Sequence, residues 1–146
     1  MKGKQTALFP GNEDKVGYWI TPWDEEPFVS LKKEFDFDCD PVPYPRPEGY
    51  NGIVEEWGVR SYVNPPFDGP HTKFSSWAKK CVLEYQKGKT VVLIYPMYSW
   101  LRILVEAGVE IRSIGHVNWR NPKGQSRRSP MPCFLFILRP KEKVNE

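Results

Sequence analysis

The chain has 146 residues, of which 40% are hydrophobic and 27% are charged. This composition is typical of a globular domain and excludes a disordered chain. No apolar run approaches the roughly 20 residues that a membrane-spanning helix needs, and the start MKGKQT is no secretory signal. We therefore expect one domain over residues 1–146, a flexible stretch over residues 1–16, and no membrane association.

Charge is distributed unevenly along the chain. Residues 13–56 carry twelve acidic and four basic side chains, whereas residues 57–146 carry six acidic and fifteen basic ones. The basic half either attracts a phosphate backbone or is ordinary solvated surface. The cysteines are odd in number, far apart and never in a CxxC pair, which fits a reducing cytoplasm. Neither histidine has metal-spaced partners, so we predict no metal site.

The first half of the chain predicts one helix and one long loop. Thr21 can cap a helix whose apolar residues then recur at helical spacing, namely Phe28, Leu31 and Phe35. A short strand is expected over residues 35–39. Four prolines between residues 41 and 47 exclude regular structure and predict an extended loop over residues 41–52.

The second half alternates predicted strands and helices, over residues 59–63, 72–87, 91–95, 99–107, 109–117 and 133–138. A polar, basic loop over residues 121–130 separates the last two strands. This alternation predicts an α/β fold with a mostly parallel, doubly wound sheet. The long final loop permits an antiparallel pair of strands at the C-terminal end.

The tetrapeptide Asn64-Pro65-Pro66-Phe67 follows a predicted strand. In open α/β sheets, ligands bind beyond the carboxyl ends of the strands. Asn64 offers a side-chain carbonyl, Pro65 a backbone carbonyl, and Phe67 a flat apolar face. Together they can accept hydrogens from a planar amine and stack on the ring that bears it. The alternative interpretation is a turn stiffened by proline.

The tetrapeptide matches the (D/N)PP(Y/F) motif of amino-group methyltransferases that use S-adenosylmethionine. Over residues 18–138 the chain resembles the short phage-type DNA adenine N6-methyltransferases. The further elements that carry this resemblance, in chain order, are Trp19-Ile20-Thr21-Pro22, the acidic stretch from Phe35 to Asp40, Asn51-Gly52-Ile53 with Trp57, the strand from Val91 to Pro96, Ile114-Gly115 with Trp119, and Ser129-Pro130.

The resemblance implies a minimal Rossmann-like methyltransferase fold that moves a methyl group from S-adenosylmethionine to adenine N6 in DNA. The implied catalytic residues are Asn64, Pro65, Pro66 and Phe67, with Phe67 stacking on a flipped base. The implied cofactor-binding residues are Trp19, Thr21, Pro22, Asp38 and Asp40. The alternative role is capping, of a helix for Thr21 and of a helix or turn for Asp40.

Four basic side chains of the final loop are candidate phosphate contacts, and they are Arg120, Lys123, Arg127 and Arg128. Two other functions remain open: methyl transfer to RNA or to a protein glutamine amide, and a catalytically silent nucleic-acid-binding module. The silent module is considered because no Gly-x-Gly cofactor loop follows Asp40. The absence of a separate recognition domain suggests loose specificity or a homodimer. We expect the protein in the cytoplasm of a bacterial host.

Overall fold

A computed structural model describes residues 20–65, 72–95 and 101–141, with the side chains of residues 72–75 left aside. Within these ranges the chain forms three helices, α1 (Phe28–Phe35), α2 (Thr72–Gln86) and α3 (Arg102–Glu106). It also forms six strands, β1 (Arg60–Val63), β2 (Thr90–Tyr95), β3 (Glu110–Gly115), β4 (Asn118–Arg120), β5 (Ser126–Arg128) and β6 (Cys133–Leu138). None of the described helices is long and apolar enough to cross a membrane. The stretch predicted to be flexible, residues 1–16, lies outside the described residues.

The main sheet is mixed, so the expected Rossmann-like, mostly parallel sheet is wrong. Its strand order is β1-β2-β6-β3, and β1 with β2 is the one parallel pair in this described sheet. Strand β6 lies between β2 and β3 and is antiparallel to both. The reason lies in the connections. Helix α2 returns the chain for a parallel pairing, whereas a hairpin connects β3 to β6 and reverses the chain direction.

That hairpin consists of β4 and β5, which pair antiparallel in a separate two-stranded sheet. The predicted loop over residues 121–130 therefore contains a strand. Asn121 makes the turn, because its Oδ1 accepts the backbone N–H groups of Lys123 at 3.0 Å and Gln125 at 2.9 Å. Gly124 completes the turn with a φ of 82°, a conformation that glycine adopts without steric cost. The strand was missed because Ser-Arg-Arg is wholly exposed and has no apolar alternation.

Helix α1 begins later than its sequence signature predicts. Residues 21–27 form turns, and the helix starts at Phe28 with its predicted apolar residues buried. Thr21 does not cap the helix, because its hydroxyl group bonds the side chain of Tyr62 instead. The helix ends at Asp36, whose φ of 50° lies in the left-handed region. The strand predicted over residues 35–39 is reduced to one parallel bridge between Cys39 and Ser61.

The core is built on both faces of the two central strands. Residues 91–95 of β2 are all buried, as expected for a continuous apolar run, and β6 is buried along most of its length. Helix α2 packs on one side through Trp77, Ala78 and Cys81. The loop predicted over residues 41–52 contains turns and bends, and Trp57 stacks on Trp77 to hold its end against α2.

A buried ion-pair network ties the end of that loop to α2 and β2. The Glu84 side chain is fully buried and accepts hydrogen bonds from Lys80 at 2.8 Å and Lys89 at 2.6 Å. Lys89 also donates to the Trp57 carbonyl at 2.7 Å and pairs with Glu56. Burial opposes ionisation of Glu84, but the hydrogen bonds from the two lysines outweigh it and lower its pKa to about 2.

We predict that Glu84→Gln lowers the free energy of unfolding by about 3 kcal/mol at pH 7, because it removes the buried counter-charge of Lys80 and leaves Lys89 paired with Glu56 alone among the described side chains. The matched control is Glu106→Gln, which breaks an exposed i,i+4 pair with Arg102 and should cost under about 1 kcal/mol. Urea unfolding measures both, and equal losses in the two variants would contradict the role of Glu84.

The same network predicts a dependence of stability on pH. The pKa of Glu84 is lower in the folded chain than its ordinary value of 4.5. Its contribution is therefore complete above that ordinary value and is lost as the pH falls towards 2. The difference in unfolding free energy between wild type and Glu84→Gln should shrink over this interval. A difference that stays constant to pH 2.5 would show that ionised Glu84 is not its source.

Candidate active site

The candidate site begins where β1 ends. Asn64 and Pro65 directly follow Val63, the last residue of β1, and Asn64 is half-buried while Pro65 is buried. Strand β2 runs parallel to β1, so the carboxyl ends of both strands meet at one edge of the sheet. In open parallel α/β sheets this edge binds ligands, and in the described mixed sheet the pair β1 and β2 alone provides such an edge. The other two residues of the tetrapeptide, Pro66 and Phe67, lie outside the described residues, as does Trp19.

A second segment runs parallel to β1 on the side away from β2. The N–H of Asp38 donates to the carbonyl of Arg60 at 2.9 Å, and the N–H of Tyr62 donates to the carbonyl of Cys39 at 3.1 Å. In this register Asp40 lies level with Tyr62, and paired residues point to the same face. Asp40 and Tyr62 therefore share a face, and Asn64 follows Tyr62 at the next alternate position.

Asp38 uses its carboxylate to hold this register. Oδ1 accepts the backbone N–H of Arg60 at 2.8 Å, and the Arg60 guanidinium lies 3.7 Å from Oδ2. The bond from the Arg60 backbone is the main reason that the pKa of Asp38 is lowered. Gly58 permits this close approach, since a Cβ there would lie 2.7 Å from Asp38 Oδ1. Because the Asp38 carboxylate already contacts Arg60, a structural role is favoured over the predicted contact with a cofactor.

Asp40 differs from Asp38 in its surroundings. Its Oδ1 accepts the N–H of Val42 at 2.9 Å, which is the turn-capping bond weighed as the alternative role. The residue is exposed to solvent, yet the surrounding protein desolvates its carboxyl group enough to raise the pKa above its ordinary value. Asp40 is thus available to a ligand in a way that Asp38 is not.

Thr21 and Pro22 are both buried, and Thr21 lies against β1. The hydroxyl groups of Thr21 and Tyr62 form a hydrogen bond of 2.8 Å. Burial raises the pKa of Tyr62, so its phenol stays neutral and keeps a proton for this bond. The ring of Trp23 packs edge-on against Tyr62, with 4.7 Å between the ring centroids. The resemblance grouped Thr21 and Pro22 with Asp40, and the fold places Thr21 in contact with the strand beside Asp40.

Sequence reasoning missed three aromatic side chains of this region, Trp23, Tyr50 and Tyr62. Tyr62 stands two residues before Asn64, and its alternation with Asn64 along a predicted strand is the signal that could have found it. Tyr50 belongs to the proline loop, and its pKa is raised first by desolvation and then by the charges of neighbours that include Asp40. Nothing in a loop pattern predicts this influence of Asp40 on Tyr50.

The four candidate phosphate contacts separate into two groups. Lys123, Arg127 and Arg128 are exposed on the β4–β5 hairpin. Arg120 is only a quarter exposed, and its Nη2 lies 2.6 Å from Glu25 and 3.1 Å from Asp24. The structure thus presents three of these cations to solvent and pairs the fourth with acidic side chains.

No family model, no curated protein and no solved structure matches the chain. The resemblance to the phage-type methyltransferases therefore depends on the sequence motifs, and membership in that family stays a prediction.

We predict an energetic coupling between Thr21 and Tyr62, measurable with Thr21→Val, Tyr62→Phe and the double variant. Each single change leaves one buried hydroxyl group unpaired, whereas the double change removes both partners. The coupling free energy from urea unfolding should be about 1 kcal/mol. Tyr62→Phe combined with Ser113→Ala on exposed β3 should be additive. Additivity of the Thr21–Tyr62 pair would contradict the hydrogen bond.

Proposed function

We propose that the protein transfers a methyl group from S-adenosylmethionine to the N6 amino group of adenine in DNA. The observation that carries the proposal is the position of Asn64 and the buried Pro65 at the carboxyl end of β1, beside Asp40 and Tyr62. These residues combine the motif for binding a planar amine with a nearby carboxylate. The proposal depends on this arrangement of side chains and not on a Rossmann-like sheet.

The amine is held by two oxygen acceptors. The N6 lone pair of adenine is delocalised into the ring, which makes the nitrogen a poor nucleophile. The Asn64 side-chain carbonyl and the Pro65 backbone carbonyl can each accept one N–H, since both oxygens are pure acceptors. Accepting these hydrogens out of the base plane favours tetrahedral nitrogen and concentrates electron density on its lone pair. Acceptors fixed by a strand end need little reorganisation during the reaction.

The residues around Asp40 fit the cofactor. The exposed, partly desolvated carboxylate suits ribose hydroxyl groups or an ammonium group, and the half-buried rings of Trp23 and Tyr50 suit a flat ring. Asp40, Thr21 and Pro22 would hold the molecule, and Trp19 stays a predicted contact outside the described residues. S-adenosylmethionine supplies an electrophilic methyl group on a sulfonium ion when it is bound.

DNA is the proposed partner because the exposed cations of the β4–β5 hairpin, Lys123, Arg127 and Arg128, suit phosphate groups. Phosphate contacts would orient the nucleic acid without reading its sequence. A homodimer and a location in the bacterial cytoplasm stay predictions. Transfer to RNA or to a glutamine amide would use the same two acceptors, so the nature of the methylated product distinguishes these substrates.

We predict that Asn64→Ala lowers the rate of methyl transfer by about 10²-fold or more, because it removes a hydrogen bond that strengthens in the transition state. Binding of S-adenosylhomocysteine and the unfolding free energy should change little. The matched control is Asn118→Ala, an exposed asparagine on β4. The assay counts N6-methyladenine in DNA digested to nucleosides after incubation with purified protein.

Near wild-type turnover by Asn64→Ala would contradict the mechanism. If the wild type binds S-adenosylhomocysteine without methylating DNA, RNA and glutamine-containing peptides become the substrates to assay. If calorimetry detects no binding of S-adenosylhomocysteine, the proposed enzyme is wrong and a silent nucleic-acid-binding module remains.

The two aspartates predict opposite phenotypes. Asp40→Asn should weaken binding of S-adenosylhomocysteine about tenfold or more, since a charge-assisted hydrogen bond is lost, and should leave unfolding nearly unchanged. Asp38→Asn should instead lower the unfolding free energy by about 1–2 kcal/mol and affect binding less. Calorimetry and urea unfolding on both variants decide the assignment. Unaltered affinity in Asp40→Asn would reduce Asp40 to a cap for Val42.

A further inference from the structure

Arg120 makes contacts that set it apart from the other cations of the β4–β5 hairpin. Its Nη2 atom lies 2.6 Å from Glu25 Oε2 and 3.1 Å from Asp24 Oδ1. Its backbone also forms an antiparallel bridge with Ile20, with the Ile20 N–H donating at 2.9 Å and the Arg120 N–H donating at 3.0 Å. One residue of β4 therefore holds both ends of the segment from Ile20 to Glu25.

The segment from Ile20 to Glu25 has little regular structure that could fix its position. It contains turns closed by bonds from the Trp23 N–H to the Thr21 carbonyl and from the Glu25 N–H to the Pro22 carbonyl, both at 3.0 Å. Thr21 nevertheless reaches the buried Tyr62 hydroxyl group with good geometry. The contacts from Arg120 supply the external restraint, because a short loop that is anchored at both ends samples fewer positions.

A phosphate contact by Arg120 would compete with these pairs. Its guanidinium already faces two carboxylates, so an approaching phosphate would meet their negative charge. Arg128 provides the comparison on the same hairpin. The pairing of β4 with β5 puts Arg128 on the same face as Arg120, and Arg128 is exposed. Among the described side chains, none forms an ion pair with Arg128.

We propose that Arg120 is a positioning residue that holds Thr21 against Tyr62, and thereby shapes the cofactor side of the site, instead of contacting DNA. The link to the cofactor rests on the function proposed above. The hairpin then has two roles. Its exposed cations contact the nucleic acid, and Arg120, through its ion pairs, fixes the loop beside the site. This assignment replaces the prediction of a phosphate contact for Arg120.

The test compares Arg120→Ala with the matched control Arg128→Ala. Calorimetry measures the affinity for S-adenosylhomocysteine, and a salt titration measures binding to a short duplex DNA. Arg120→Ala should lose about tenfold in S-adenosylhomocysteine affinity and keep the wild-type slope of log K against log salt. Arg128→Ala should keep that affinity and flatten the slope by about 0.9, the value for one phosphate contact. The opposite pattern for Arg120→Ala would overturn the proposal.

A charge exchange tests whether the ion pair, and not general destabilisation, is responsible. Glu25→Arg and Arg120→Glu should each weaken S-adenosylhomocysteine binding, and the two together should recover most of the affinity. Failure of the exchange to recover any affinity, with both single variants folded, would contradict positioning through this pair. Where Arg120→Ala does not fold, Glu25→Gln removes the shorter contact and takes its place.

A third measurement needs no cofactor. The coupling between Thr21 and Tyr62, expressed as a ratio of unfolding equilibrium constants, should be about fivefold in the wild-type background. This ratio should fall close to one, which means no coupling, in the Arg120→Ala background. A coupling that stays unchanged would overturn the positioning role. If S-adenosylhomocysteine does not bind the wild type, the proposed function fails, and this cycle still decides whether Arg120 positions Thr21.

Discussion

The candidate site depends on the register between residues 38–40 and β1. The Asp38 carboxylate sets that register by bonding the Arg60 N–H, and Gly58 leaves the space for it. A slip of one residue would turn Asp40 to the opposite face from Tyr62, because successive side chains of a strand alternate between faces. Asp38 thus serves the fold, whereas the Asp40 carboxylate bonds the nearby Val42 N–H and stays exposed to solvent. Two carboxylates that look equivalent in sequence therefore differ in their backbone hydrogen bonds, to β1 for Asp38 and to the following turn for Asp40.

Charged contacts help to hold several segments that lie outside the main sheet. The loop before β1 is fixed by the buried Glu84 network, the segment around Thr21 by Arg120, and α1 by the Arg112 guanidinium, which forms two bonds of 2.8 Å with Glu34. Such contacts contribute unequally to the free energy of unfolding. The buried carboxylate of Glu84 is costly to leave unpaired, whereas exposed pairs contribute under about 1 kcal/mol each. Exposed pairs therefore influence the position of a loop more than the free energy of unfolding.

Sequence patterns predicted the elements better than their arrangement. Strands β1 and β2 and helix α2 were found because apolar runs and helical spacing report burial directly. The prediction of a mostly parallel sheet was wrong, since an apolar run such as β6 reads the same whether it lies parallel or antiparallel. The expected antiparallel pair at the C-terminal end is present as β3 and β6. The hairpin that decides this direction contains an exposed Ser-Arg-Arg strand without an apolar signal. The partners of Thr21 and Arg120 were not predicted for a related reason: they lie 41 and 95 residues away, beyond any local pattern.

The distribution of charge around the site follows from the same contacts. The proposed cofactor carries a sulfonium cation, and an unpaired guanidinium on the loop beside it would repel that charge. Arg120 avoids this effect because Asp24 and Glu25 both contact it, which makes the group of three side chains net negative. The exposed cations of the hairpin remain where a polyanion can reach them. Under the proposed function, the pairing of Arg120 with its two carboxylates would keep an uncompensated cation away from the cofactor, while the exposed cations of the hairpin would serve the nucleic acid.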